Sequence, residues 1–318
     1  MNPLTLCLTG DVMLGRGLDQ ILPNPSDPTL NEQNVQSAQR YVTLAEEAHG
    51  SIPRPVSYSY PWGMALEEVE QRNPDATIIN LETTVTHSDE FWDGKGIHYR
   101  MSPENVPTLS AANVDVCVLS NNHVLDFGPT GLNETLTTLE GNGFETAGAG
   151  RSRTHARQPA THSLNSEGRI LVFGVGTRSS GIPPSWRANE KSPGVCLLDS
   201  ISSRTAESLA KRIEEQRKPG DLVIVSVHWG GNWSYEIPDH QRSFARRLIE
   251  SEQVDLVHGH SAHHVKGIEV HQDHLILYGC GDLINDYEGI QGRSGFRDDL
   301  GVLYFPVLNG STGRLEDM

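Results

Sequence analysis

The sequence predicts an α/β protein, with layered sheets and helices packed outside them. Two observations carry this: short apolar, β-branched runs alternate with helix-length polar segments bearing periodic apolar residues. Several of the runs also end in polar side chains, and open α/β sheets bind ligands beyond the carboxyl ends of their strands. In chain order, LTLCL (4–8) reads as the first strand. The proline-rich stretches PNPSDP (23–28) and IPRPVSYSYP (52–61) read as surface loops flanking a helix over about 31–49. ATII (76–79) and VDVCVLS (114–120) read as strands, and Leu132, Leu136 and Leu139 follow the i, i+4, i+7 spacing of one helix face. RSRTHARQPATHSLNSEG (151–168) is polar enough for a connection between two halves. Beyond it come the strand-like runs ILVFGVG (170–176), LVIVSV (222–227), VDLV (254–257), LILY (275–278) and GVLYFPV (301–307). The pairs Leu209/Ile213 and Phe244/Leu248 mark helices between them. The expected organisation is a single domain over 1–318 with an internal break near 151–168.

Composition narrows the function. The chain has 318 residues, 36% of them hydrophobic, so it can bury a sizeable core. Lys and Arg number 25 against 41 Asp and Glu, a net charge of -16 that speaks against nonspecific binding to nucleic acid or an anionic membrane. Cys7, Cys117, Cys196 and Cys280 are widely separated, and three lie in apolar runs, which fits a reducing compartment without disulfides. No stretch approaches the length of a membrane-spanning helix, and the N-terminus has neither a basic leader nor an apolar signal core. The expected location is the cytoplasm.

Five strand-like runs end in groups suited to metal binding or proton transfer: LTLCLTGD at Asp11, ATIINLE at Glu82, VDVCVLSNNH at Asn121, Asn122 and His123, LVIVSVHWG at His228, and VDLVHGHSAHH at His258, His260, His263 and His264. Taken singly, each has a plainer reading. A GD after a strand is a common turn, Asn tolerates positive φ, and one histidine at a strand end is usually a satisfied polar residue. The GHSAHH cluster is harder to dismiss, because packed imidazoles repel once protonated unless a cation or carboxylates hold them. Taken together, the five endings point to one shared site.

Asp, Glu, Asn and His as donors favour a divalent Mn, Fe, Zn or Co ion, one or two per chain, over a thiolate zinc site. Other catalytic patterns are missing. There is no GxxxxGK[ST] loop and no GxSxG elbow, and AGAGRSR (147–153) breaks the dinucleotide fingerprint at its last glycine. A bound dication can polarise a carbonyl or phosphoryl oxygen and lower the pKa of a bound water from about 15.7 to about 7.

The ordered set GDVM, NLE, NNHVLDFG, HWG and GHSAHH, followed by YGCGDLIND, resembles the capsule-synthesis family called CapA, or poly-gamma-glutamate synthesis proteins, of the calcineurin-like metallophosphatase superfamily. The likeness runs from about residue 5 to about residue 290. It implies a four-layer α/β/β/α sandwich with metals at the strand ends. Residue by residue, it implies Asp11 as the first metal carboxylate, Glu82 at the bridging position, Asn122 (or its neighbour Asn121) as the amide ligand and His123 as a general acid. His228, His260 and His263 match the remaining metal ligands, with His258 and His264 behind them. Where the phosphatases carry a histidine two residues after the first Asp, this chain has Met13. A thioether is a poor ligand for such a dication, so the resemblance implies a weakened first metal position.

Three functional readings stay open. The first is a metal-dependent hydrolase of a peptide, polyglutamate-like or phosphoester substrate, with His123 or His228 protonating the leaving group. The second is a metal-dependent peptide epimerase that uses Asp11 and His228 as an acid/base pair. The third is a non-catalytic capsule or peptide-binding component. The expected partner is a small peptide or acidic polymer substrate. Arg100, through its planar fork, and Trp229, just beyond His228, are the candidate substrate contacts.

Overall fold

The computed structural model describes residues 3–164, 168–290, 295–297 and 299–318. Strands β1 (Leu4–Val12), β2 (Ala76–Leu81), β3 (Val116–Val118) and β4 (Glu145–Ala147) lie side by side in parallel. The chain then builds a second sheet from β5 (Ala160–Ser163), β6 (Arg169–Gly176), β7 (Asp221–His228), β8 (Leu256–His260), β9 (Ile268–His271) and β10 (His274–Leu277), in the spatial order β9-β10-β8-β7-β6-β5. It returns to the first sheet as β11 (Asp282–Ile284), parallel to β1, and as β12 (Leu303–Tyr304) and β13 (Val307–Leu308), both antiparallel to β1. Strand β14 (Leu315–Asp317) closes that edge on β13.

Side-chain parity assigns the faces. In β7, Leu222 and Ile224 join a buried cluster with Leu4, Leu6, Leu8 and Ile78 of the first sheet, so the two sheets share one core. The alternate residues Val223, Val225 and Val227 turn the other way. They pack against α4 (Ser203–Glu214) and α5 (Asp239–Glu250) through Leu209, Ile213, Phe244 and Leu248, the pairs whose spacing predicted those helices. On the far face of the first sheet, Ile79, Leu81 and Cys117 meet Leu132, Leu136 and Leu139 of α3 (Gly128–Gly141). The α/β class is thus observed. All four cysteines are free and buried, and no described helix is long and apolar enough to cross a membrane.

Several expected elements are redrawn. The helix expected over about 31–49 spans only Gln39–His49, because the preceding chain folds back on itself: the Ala38 N–H donates to Pro28 O and that of Leu30 to Gln36 O. GVLYFPV forms two short strands, since Pro306 has no N–H for the ladder. The polar stretch 151–168 is more than a connection. It carries a helical turn, Arg153–Ala156, and then β5, whose polarity suits an edge strand; residues 165–167 lie outside the described residues.

Candidate metal centre

At the carboxyl ends of the strands, the apolar layer between the sheets gives way to polar side chains of the same parity. On β7, Ser226 and His228 continue the face of Leu222 and Ile224; on β8, His258 and His260 continue that of Leu256. On β2, Asn80 and then Glu82 follow Ala76 and Ile78.

Asp11 needs a device to join them, because Leu4, Leu6 and Leu8 give the inner face to even positions. The β1–β2 register shifts between Leu8 and Asp11, a bulge-like irregularity that reverses the parity. Val12 and Leu14 accordingly turn to the α3 side. Gly10 makes this passage: a Cβ there would lie 1.7 Å from Gly281 O, and the next residue, Asp11, donates its N–H to that same oxygen at 2.9 Å.

The ligand atoms offered by Asp11, His228 and His260 lie within 4.8 Å of one another, and so do those of Asp11, His263 and Asp282. Asp11 is common to both trios, and all five side chains are buried. Glu82 approaches from β2, its carboxylate 3.9 Å from Nε2 of His228 and 3.9 Å from Nε2 of His123. The Asn80 amide donates to both carboxylates, at 2.7 Å to Asp11 and 3.0 Å to Glu82. No N–H or hydroxyl among the described residues donates to the second oxygen of Asp11, the buried Oδ2, while the Asp11 and Glu82 carboxyls lie within hydrogen-bond reach of each other. Burial and then the Asp282 charge push the Asp11 carboxyl up to about 7, while burial and the Asp11 charge push Glu82 well above the carboxylate range. Closely packed carboxylates so poorly compensated favour a cation among them.

A hydrogen-bond chain sets the histidine tautomers. Nε2–H of His258 donates to Thr9 O at 2.7 Å, so its Nδ1 accepts from the Ser226 hydroxyl at 3.0 Å. Ser226 Oγ in turn accepts from Nε2–H of His260 at 2.9 Å. This leaves Nδ1 of His260 unprotonated, 2.7 Å from Nδ1 of His228 and 3.8 Å from Asp11. Burial holds His258 at about 4 and His228 and His260 well below the usual imidazole value, so all three are neutral near pH 7.

The two asparagines divide the work. Asn121 is turned inward: its amide donates to Asn80 Oδ1 and Leu81 O, and its Oδ1 accepts from the His123 N–H. Asn122 instead reaches His228, with Oδ1 2.9 Å from Nε2. The Nδ1 of His123 sits 2.6 Å from Asp126, which also accepts from the Tyr99 N–H and from Lys95. Burial lowers His123 to about 4, outweighing Asp126, and the His123 charge holds Asp126 below the usual carboxylate range despite its burial.

The structure therefore brings Asp11, Glu82, Asn122, His123, His228, His260 and His263 together. It does not bring Arg100 or Trp229 to them. The Arg100 guanidinium is buried on Ser88 O, Asp89 and Asp27 O and lies over the Phe127 ring, so its planar fork is already occupied. Trp229 packs between Phe244 and Tyr278 and donates its indole N–H to Tyr278 O, as a core residue. Sequence reasoning missed Asn80, Asp126, Lys95 and Asp282. Asn80 was legible two positions before Glu82 on one strand face, and Asp282 as a second Gly-Asp after an apolar run. Lys95 lies in an irregular segment and leaves no such signal.

The family model described as "Bacterial capsule synthesis protein PGA_cap" matches residues 5–287. A "probable polyglutamine synthesis accessory protein" of Mycobacterium tuberculosis is 46% identical over 317 residues, covering 99% of this chain and 83% of that protein. The "PGA biosynthesis protein CapA" of Bacillus subtilis is 30% identical over 246 residues, covering 77% of this chain and 61% of that protein. This chain belongs to the bacterial capsule synthesis protein family PGA_cap.

Proposed function

We propose that this chain is a metal-dependent hydrolase of a peptide or polyglutamate-like substrate, with phosphoesters as the other substrate class its chemistry suits. The carrying observation is the convergence of Asp11, Glu82, Asn122, His228, His260 and His263 at the ends of strands from two sheets that share one core. That layering, with α3 outside one sheet and α4 and α5 outside the other, supports a four-layer α/β/β/α sandwich in a single domain. The relatives' printed roles in polyglutamine and PGA synthesis support a substrate drawn from such polymers.

The residues fit a divalent ion: a buried Asp11 Oδ2, reached by no N–H or hydroxyl among the described residues, stands among neutral imidazoles and crowded carboxylates. Asp11, Glu82, Asn122, His228, His260 and His263 would hold Mn, Fe, Zn or Co, which would supply Lewis acidity and a readily deprotonated water. The protein's own part is proton handling. Asp126 pins Nδ1–H of His123, so a neutral ring presents the Nε2 lone pair toward Glu82. From there His123 takes a proton from the attacking water and returns it to the leaving group. Burial of the surrounding groups excludes bulk water and strengthens each of these contacts.

The test is an assay on α- and γ-linked glutamyl peptides and an aryl phosphate in heavy water, with and without chelator. Cleavage that requires metal and is lost in Glu82→Ala and His228→Ala, with the fold retained, is expected. Cleavage indifferent to chelator and to both substitutions overturns the proposal. Deuterium at an α-carbon without cleavage overturns it in favour of epimerisation.

A further inference from the structure

Position 13 is a fully buried methionine, yet the structure places another ligand-type side chain beside Asp11. Strand β11 runs parallel to β1 with Asp282 directly opposite Asp11. Asp282 Oδ1 and Oδ2 lie 2.9 and 3.1 Å from Nδ1 of His263, and the Asn285 amide donates to Oδ2 at 2.9 Å. Asp11, His263 and Asp282 thus form a trio with ligand atoms within 4.8 Å of one another. The independent sign of an absent partner is Asp11 Oδ2, buried, beside the Glu82 carboxyl and reached by no N–H or hydroxyl among the described residues.

We infer that Asp282 supplies the ligand that Met13 cannot, creating a carboxylate-rich ion position distinct in metal preference from the imidazole-rich position at His228 and His260. The inference rests on the metal-centre reading above and adds a residue and a selectivity to it. Two carboxylates and one imidazole form a hard donor set suited to Mn2+ or Mg2+, whereas two imidazoles with a carboxylate and an amide suit Zn2+, Fe2+ or Co2+. The two positions share Asp11, so the expected content is one ion of each kind per chain, and the weakened first position implied by Met13 becomes a different one.

The test loads chelator-stripped full-length protein from an equimolar mixture of Mn2+ and Zn2+ and measures bound metal per chain by elemental analysis, with Mn2+ followed by electron paramagnetic resonance. The native chain is expected to hold one zinc and one manganese. Asp282→Asn is expected to keep the zinc and bind manganese at least 100-fold more weakly, and Asp282→His to hold two zinc ions. His228→Ala is expected to lose zinc and keep manganese. One ion or two zinc ions in the native chain, or manganese affinity within tenfold of native in Asp282→Asn, overturns the inference. No bound ion in the native chain overturns the metal-centre reading itself. If Asp282→Asn fails to fold by circular dichroism, His263→Gln decides, with the same loss of manganese expected and retention within tenfold overturning the inference.

Discussion

The Nδ1 atoms of His228 and His260 face each other at 2.7 Å in a fully buried setting. Protonating both rings there would place two charges in contact, and burial holds both well below the ordinary imidazole value, with His123 and His258 down at about 4. The unfolded chain takes up protons on these four rings as pH falls below about 6.5, while the folded chain does not. Asp11 and Glu82 act oppositely: raised in the folded state, with Asp11 at about 7, they favour folding at low pH and lose that contribution as pH rises through their folded values. At this site the four rings outnumber the two carboxylates below about pH 6.5, so lowering the pH of the metal-stripped protein from 6.5 to 5.5 should cost stability. Urea unfolding at the two pH values measures this, and equal or greater stability at pH 5.5 contradicts it.

Asn80 holds the two carboxylates with one amide, at 2.7 and 3.0 Å, and is itself held by Asn121. Asn80→Leu keeps the branched shape but removes the amide that donates to both carboxylates, leaving Asp11 and Glu82 free to separate. The expected loss in metal affinity is about 10- to 100-fold, the usual scale for a side chain that orients ligands without touching the ion. Calorimetric titration with Zn2+ reads it. Native affinity in a folded variant would mean that backbone position alone sets the two carboxylates.

Trp229 and Arg100 should behave as framework. Trp229→Ala removes a ring packed between Phe244 and Tyr278 and should cost about 3–5 kcal/mol of stability. Arg100→Ala removes a buried guanidinium that lies over Phe127 and bonds Asp89 and two backbone carbonyls, and should lower stability, by less than Trp229→Ala because those partners are open enough to hydrate. Denaturant midpoints measure both. A rise in KM without loss of stability for Arg100→Ala would restore its reading as a substrate contact.

The contrast between these residues and the candidate ligands shows what was legible. Strand ends announce themselves because an apolar run must stop where its face turns polar, so Glu82, His228 and the GHSAHH histidines were readable from their places at strand ends, with His260 and His263 singled out by the family resemblance. Asp11 was readable as a type but not as a position, since the β1–β2 register shift that turns it inward is set by the Gly10–Gly281 approach between distant segments. Arg100 and Trp229 misled because a guanidinium and an indole near a site can equally satisfy the fold, and only their partners decide. Asp282 required knowing that β11 returns beside β1, a pairing between residues far apart in sequence.

Asp126 carries the last expectation. It lies three residues beyond His123 across a turn and accepts from three donors: Nδ1–H of His123, the Tyr99 N–H and the Lys95 ammonium. Those donors keep it ionised, with its pKa below the usual carboxylate value despite complete burial. As a carboxylate it can only accept, which forces the His123 proton onto Nδ1 and leaves Nε2 bare toward Glu82. Asp126→Asn can turn an N–H toward the ring instead, favouring the opposite tautomer and removing the lone pair from the face that handles the proton. Under the proposed hydrolysis the rate should then fall about 100-fold with metal content unchanged, because Asp126 reaches the imidazole and not the candidate ligand trios. Single-turnover rates together with bound metal per chain separate the two effects. A variant that loses metal in proportion to its rate would mean that Asp126 acts by holding the NNHVLD turn, and with it Asn122, in place.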